Sequence, residues 1–304
     1  MQKSRTLSGV LLASGGAVLW CISGIFGKLL FEGPNAVTPA WLTAVRMLLA
    51  GGLLLLYSLA RHGNPLAVWR TPSTAIRQIL YGVLGLLPVQ FFYFLAVDYG
   101  NASIATILQF LGPIVIALYY VIFKRQLPSR AEAIGMLLAL LGTFILVTHG
   151  HFNQLVVAPL ALFWGLMSAL AIAGDTLLPR PLLPKFGSIN VNAWGLLVGG
   201  VQMNFIQPVW VGVPQFTWQL AGEITVVVLF GTLIAYVMYS NSLLYITPTT
   251  ASLLDAFEPL AATILSIIFF SIPFAWADAV GGILIVLAVV MLSLNVRPFK
   301  KRRK

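Results

Sequence analysis

The chain has 304 residues, 59% of them hydrophobic and only 9% charged, with a mean hydropathy of +0.95. An ordinary soluble domain carries about 25% charged residues, so there is too little polar surface here for a water-facing globule, and disorder is excluded on the same ground. The net charge of +10 comes with one cysteine (Cys21) and three histidines (His62, His149, His151), which leaves no disulfide framework and no metal set.

A crossing of ~30 Å of hydrocarbon takes ~20 residues, so the length allows about ten crossings and no soluble domain. Apolar runs bounded by charge, proline and glycine predict helices at roughly 7–27, 38–60, 78–97, 102–123, 131–148, 156–175, 191–211, 219–244, 248–270 and 275–295. The first run follows Lys3 and Arg5, as a signal peptide would. It is ~20 residues long and has no small-x-small cleavage site, so it reads as an uncleaved span. With the N-terminus placed inside, sixteen of the eighteen Lys and Arg residues fall in inner segments. These are Lys3, Arg5, Arg61, Arg70, Arg77, Lys124, Arg125, Arg130, Arg180, Lys185, Arg297 and the closing KKRRK. Only Lys28 falls in an outer loop and Arg46 within a span. Both termini are therefore expected in the cytoplasm. The basic tail reads as a topology signal resting on anionic headgroups, so no nucleic-acid partner is expected.

Sliding the chain by 146 residues aligns spans three to five with spans eight to ten without a gap. Gly85 falls on Gly231, Tyr93 on Tyr239, Tyr99 on Tyr245, Ala105 on Ala251, Pro113 on Pro259 and Gly135 on Gly281, while Glu132 meets Asp278. Spans one and six share a tryptophan followed four residues on by a small residue, Trp20 with Gly24 and Trp164 with Ser168; spans two and seven match poorly. The expected organisation is a first five-helix repeat over 1–150 and a second, with the basic tail, over 151–304. Five is odd, so the second repeat enters the membrane upside down, the architecture from which many secondary transporters build two alternating states. The fold class is thus an all-α integral membrane protein of ten transmembrane helices in two inverted five-helix repeats.

Ionisable groups inside spans are costly and carry function by default. At 1.5 Å per residue, Arg46 lies ~12 Å below the outer start of span two, and Asp255 and Glu258 lie ~11 and ~15 Å above the inner start of span nine. Arg46 and Glu258 should meet near the midplane, either pairing or orienting a substrate together, or forming a structural ion pair. Asp255 and Glu258 share a helix face, where two carboxylates repel and a proton or an ammonium group would relieve them. The other acids (Glu32, Asp98, Glu132, Asp175, Glu223 and Asp278) fall near span ends and read as interface residues.

Aromatic stripes on spans three (Tyr81, Phe92, with Tyr93) and eight (Tyr236, Tyr239), and Trp20, Trp164 and Trp194 inside their spans, are candidates for the wall of a solute cavity, with Gln109 on span four. Packing alone explains any single one of them. Pro88, Pro113 and Pro259 break the helix ladder inside spans, and the recurrence of the last two at equivalent positions marks them as hinges or as static kinks.

In these features the chain resembles the drug/metabolite transporter superfamily, and within it the ten-helix EamA-type exporters, over about 7–295. The resemblance rests on the inverted repeat, the Trp-x-x-x-small starts, the arginine of AVRMLLA (Arg46), and the A-x-x-x-x-x-x-x-P motifs at 105–113 and 251–259, with Glu258 before Pro259. The glutamates common after spans four and nine are absent, where the chain reads FKRQLP and FSIPFA. The likeness is greatest to YddG-type amino-acid exporters. It implies a cavity lined by spans one to four and six to nine, with spans five and ten peripheral, and export of amino acids or similar metabolites across the bacterial inner membrane.

The expected function is export of amino acids, those with aromatic or apolar side chains included, by alternating access. The expected protein is a monomer in the bilayer acting on a small-molecule substrate, with no cofactor, since no nucleotide-binding motif is visible. A proton-coupled exporter of drug-like cations is the nearest alternative, although span one lacks the glutamate used by the small four-helix relatives. A membrane enzyme using Asp255 and Glu258 as acid and base lacks any accompanying nucleophile motif.

Overall fold

The computed structural model describes residues 2–32, 36–99, 105, 108–148, 158–270 and 275–295. The basic tail, His149, His151 and the side chains of Lys3, Arg5, Lys28, Glu32 and Asp278 lie outside the described residues. The described residues form ten long helices, a short 3-10 helix at Pro65–Trp69 and no strand. The long helices are α1 (Gln2–Glu32), α2 (Pro39–Ala60), α3 (72–99), α4 (108–124), α5 (Arg130–Thr148), α6 (Pro159–Leu177), α7 (Leu183–Met203), α8 (218–242), α9 (248–270) and α10 (Trp276–Asn295). Five segments are long and apolar enough to span a bilayer on that ground alone: Thr6–Phe31, Pro39–Ala60, Pro72–Ala96, Pro159–Leu177 and Trp218–Ser242. Leu53, Leu56, Leu137, Leu170 and Ile283 are exposed on the outside of the bundle, as a lipid-facing surface requires.

Nine spans lie close to their expected positions; the seventh is displaced. Instead of 191–211 the helix runs Leu183–Met203, and Phe205, Ile206, Trp210 and Val211 are exposed loop residues. The helix stops because Asn204 turns back, its Nδ2 donating to the Gly200 carbonyl at 2.8 Å while its Oδ1 accepts from the Val209 amide at 3.0 Å. Its polar start (KFGSIN) is helical on both sides of Gly187, which kinks it at φ 75°, ψ 157°. Lys28, expected in a loop, falls within α1, ahead of its last turn.

The packing obeys the inverted repeat. Helices α2 and α7 cross at Gly51, where a side-chain carbon would lie 2.9 Å from the Ala193 carbonyl, and α5 crosses α10 at Gly142, 2.8 Å from the Gly281 carbonyl. Each of these pairs is its own counterpart, whereas α3 against α6 corresponds to α8 against α1. Gly85 abuts Asp175, and its counterpart Gly231 abuts Ser23. The packing therefore relates α1 to α6 by 152 residues, not by the 144 that Trp20 and Trp164 imply. The two tryptophans are not packing counterparts.

The helices that meet at the centre are irregular, in matched places. α3 carries a π-helical turn at Gly82–Leu86 and α8 another at Leu229–Ile234. Pro88 follows the first and supplies no amide to the ladder. At the second, Thr232 Oγ1 donates to the carbonyl five residues back, Val227, at 2.9 Å. α4 is interrupted at Phe110–Leu111 ahead of Pro113, and α9 by a 3-10 turn at Leu254–Ala256 ahead of Pro259. Each proline withholds the amide that would bond the carbonyl four residues earlier, Gln109 in one repeat and Asp255 in the other.

Candidate functional site

The interrupted helices enclose a cavity of about 100 Å³, on a scale where one water takes roughly 10–15 Å³. There is space for a small organic solute. Seven helices line it: α1 with Trp20, Ser23 and Gly24, α2 with Arg46, α3 with Val89, Gln90, Tyr93 and Phe94, and α4 with Gln109, Phe110 and Pro113 on one side. α6 with Ile172 and Asp175, α8 with Tyr236 and Tyr239, and α9 with Ser252, Asp255, Glu258 and Pro259 complete it. α7, expected in the wall, stands one layer back.

Most of these residues are repeat counterparts. Gln90 corresponds to Tyr236, Tyr93 to Tyr239, Gln109 to Asp255 and Pro113 to Pro259, all 146 apart; in the packing register of 152, Trp20 corresponds to Ile172 and Ser23 to Asp175. The cavity thus sits on the pseudo-twofold axis. Its chemistry does not share that symmetry. Among the described lining residues all three carboxylates come from the second half, and the single basic residue, Arg46, from the first.

The tyrosines are held from behind. Asn192 on α7 accepts hydrogen bonds from Tyr81 Oη at 2.8 Å and Ser240 Oγ at 3.0 Å, and donates to the Tyr236 carbonyl at 3.1 Å. The Tyr239 hydroxyl is paired with Thr176 Oγ1 at 2.9 Å, beside Asp175. Trp20 packs against both rings with centroids 5.2 Å away. Gln109 Nε2 donates to Ser168 Oγ at 2.8 Å, joining α4 to α6.

Ten buried side-chain polar atoms among the described residues have no hydrogen-bond partner, and five belong to residues that line this one cavity: Trp20 Nε1, Arg46 Nε, Gln90 Oε1, Asp175 Oδ1 and Asp255 Oδ1. An unsatisfied buried polar group costs about 1–3 kcal/mol, so five around one space mark a place built for a polar occupant. Two are donors and three are acceptors.

Of the residues singled out from sequence, Trp20, Arg46, Tyr93, Gln109, Tyr236, Tyr239, Asp255, Glu258, Pro113 and Pro259 come together here. Four do not. Tyr81 is fully buried behind the wall on Asn192. Trp164 packs on Phe92 and Phe163. Trp194 donates to the Pro65 carbonyl at 2.8 Å and packs on Trp69, away from the cavity. Pro88 is likewise outside the lining.

Arg46 and Glu258 share the cavity but form no ion pair; the guanidinium instead stands 5.0 Å over the Phe94 ring. Asp175, expected at an interface, is a wall residue. The last turn of α6 reaches only to Gly85, well inside the longer α3. Nothing in the local sequence of Asp175 reports that depth, and Ser23, Gln90 and Asn192 carry no sequence signal above their neighbours.

Two contacts tie the halves together at the end of the bundle that carries the loop basic residues. Arg180, after α6, donates to the Tyr120 hydroxyl on α4, and burial pulls its guanidinium below the ordinary arginine value while Tyr120 counteracts this. Glu132 at the start of α5 accepts from its own cap amide, Ser129, at 2.8 Å and from Thr247 Oγ1 at the start of α9 at 3.1 Å.

The sequence matches the EamA-like transporter family twice, over residues 7–148 and 159–294. The two segments begin 152 residues apart and end 146 apart, the two registers seen in the packing. A protein of Salmonella typhimurium, described as the uncharacterized inner membrane transporter YicL, is 30% identical over 296 residues, covering 96% of this chain and 97% of that one. A solved crystal structure superposes with a TM-score of 0.78 at 20% identity, covering 97% of this chain and 99% of the other, and so shares the fold. With ten membrane helices in two inverted repeats around a cavity lined by charged and aromatic side chains, the chain belongs to the EamA-like transporter family of membrane transporters.

Proposed function

We propose that this transporter exports amino acids of broad side-chain type, aromatic and apolar ones included, by alternating access. The observation that carries the reading is the division of unpartnered polar atoms in the cavity. Arg46 Nε and Trp20 Nε1, both from the first half, can only donate; Asp255 Oδ1 and Asp175 Oδ1, from the second half, accept, as does Gln90 Oε1 from the first. A zwitterion satisfies both sets, its carboxylate toward Arg46 and its ammonium toward Asp255 and Glu258. The aromatic wall of Trp20, Tyr93, Phe94, Tyr236 and Tyr239 takes the side chain and favours a nearby cation.

The halves 1–150 and 151–304 are the bodies that exchange conformations, with Pro113 and Pro259 as hinges where α4 and α9 are already interrupted and Pro88 easing the π-turn of α3. The inner-membrane location of YicL and the basic loops support an inner-membrane protein with both termini in the cytoplasm, and in this reading it acts as a monomer. The likeness to YddG-type exporters supports outward flux.

The acid-rich wall also suits an organic cation with no carboxylate, the second reading; Arg46 weighs against it, because it would repel such a solute. The test is counterflow of a labelled amino-acid panel in proteoliposomes, with and without a pH gradient. Saturable, protein-dependent flux is expected. Flux of organic cations but of no amino acid, from folded protein, overturns the proposal in favour of that second reading.

A further inference from the structure

The cavity holds more carboxyl groups than a neutral amino acid explains. Among the described lining residues Asp175, Asp255 and Glu258 face a single base, Arg46. All four line the same cavity. A zwitterion brings one charge of each sign and leaves two carboxylates without a counter-charge, which is costly in a buried site.

The acceptors are distributed over three helices. Gln90 (5% exposed), Asp175 (6%) and Asp255 (9%) line the cavity from three different helices, α3, α6 and α9, and each has a buried side-chain oxygen without a hydrogen-bond partner. Arg46, 6% exposed, supplies the opposing donor. Asp255 stands with Glu258 on α9. Asp175 lies on a different helix, α6, beside the Thr176–Tyr239 hydrogen bond, and Gly85 brings α6 against α3, the helix of Gln90. Its counterpart in the other repeat is the neutral Ser23, so the acid is present on one arm of the pseudo-twofold axis only.

We infer that the cavity prefers a diamino acid, a solute whose side chain ends in a second ammonium group, and that Asp175 and the Gln90 carbonyl oxygen bind that group. The inference rests on the amino-acid reading and narrows it. The α-carboxylate meets Arg46, the α-ammonium Asp255 and Glu258, and the terminal ammonium Asp175, while the aliphatic stem lies along Tyr236 and Tyr239. Asp175 then acts as the residue that sets side-chain preference.

Lysine and norleucine differ by the terminal ammonium, which makes them the probe pair. Initial rates of labelled lysine and norleucine uptake are measured in proteoliposomes with the membrane potential clamped at zero. The wild type is expected to favour lysine by at least about tenfold, the scale of one charged hydrogen bond. Asp175→Asn brings the ratio near one, whatever it does to total flux, and Asp175→Glu retains the preference. A wild-type ratio near one, which needs no variant to measure, overturns this inference and leaves the amino-acid reading standing, as does a lysine preference that survives Asp175→Asn. No flux of either compound or of any other amino acid, from folded protein, overturns both.

Discussion

Gly85 and Asp175 lie back to back: a side-chain carbon on the glycine would sit 3.0 Å from the aspartate's Cα and amide nitrogen. The contact holds the end of α6 against the π-turn of α3 and so fixes the depth at which Asp175 reaches the cavity. Its counterpart holds Gly231 on α8 against Ser23 on α1. These two crossings, one per repeat, set the positions of the cavity walls.

The Gly231 crossing is the tighter. Gly231→Ala should lower stability by ~1–3 kcal/mol through overpacking against the Ser23 side chain. Adding Ser23→Gly removes the obstructing atoms and should recover a large part of the loss. Thermal unfolding in detergent measures both; an additive double variant contradicts the contact.

At Gly187 the backbone takes φ 75°, ψ 157° with no atom near enough to hinder a side chain. The obstacle is conformational, since this region is essentially open to glycine alone. Gly187→Ala should cost ~1–3 kcal/mol, and removal of the side-chain clash elsewhere should not rescue it, in contrast to Gly231→Ala.

Glu132 closes a capping box on α5 with Ser129 and also accepts from Thr247, the N-cap of α9. Glu132→Ala should cost ~1 kcal/mol as a cap loss. Together with Thr247→Ala the effects should fall short of additive by ~0.5 kcal/mol or more, because the two share one bond. A double-mutant cycle on thermal stability decides this.

Arg46 stands over Phe94 with its Nε unpartnered rather than paired with Glu258, so it is available to a carboxylate. Arg46→Gln should lower uptake of an amino acid by about tenfold or more relative to its decarboxylated amine, as read from the ratio of the two rates. An unchanged ratio would place the carboxylate elsewhere.

Hydropathy and the 146-residue repeat made the spans and their inversion legible, because a ~20-residue apolar run has few alternatives in a chain this poor in charge. The seventh span was misplaced because Phe205, Ile206, Trp210 and Val211 extend the apolar run although the helix has ended at Asn204. Arg46, Asp255 and Glu258 stood out by depth within their own helices. Asp175 did not, since its depth depends on how far the longer α3 extends past the end of α6, a tertiary relationship. The π-turns were invisible for a similar reason: Pro88 marks one, but Ile234, its counterpart, marks nothing. Trp20 and Trp164 resemble each other in sequence, yet the packing register of α1 on α6 differs by eight residues.

The central claim is recognition of both ends of a zwitterion by groups from opposite halves. Its most direct test is competition in proteoliposomes between a labelled amino acid and three unlabelled forms of it: the free compound, its methyl ester and its N-acetyl derivative. Blocking either end should weaken competition by about tenfold or more, and the Arg46→Gln protein should no longer distinguish the free compound from the ester. A wild-type protein on which the ester or the N-acetyl form competes as well as the free amino acid would contradict the account.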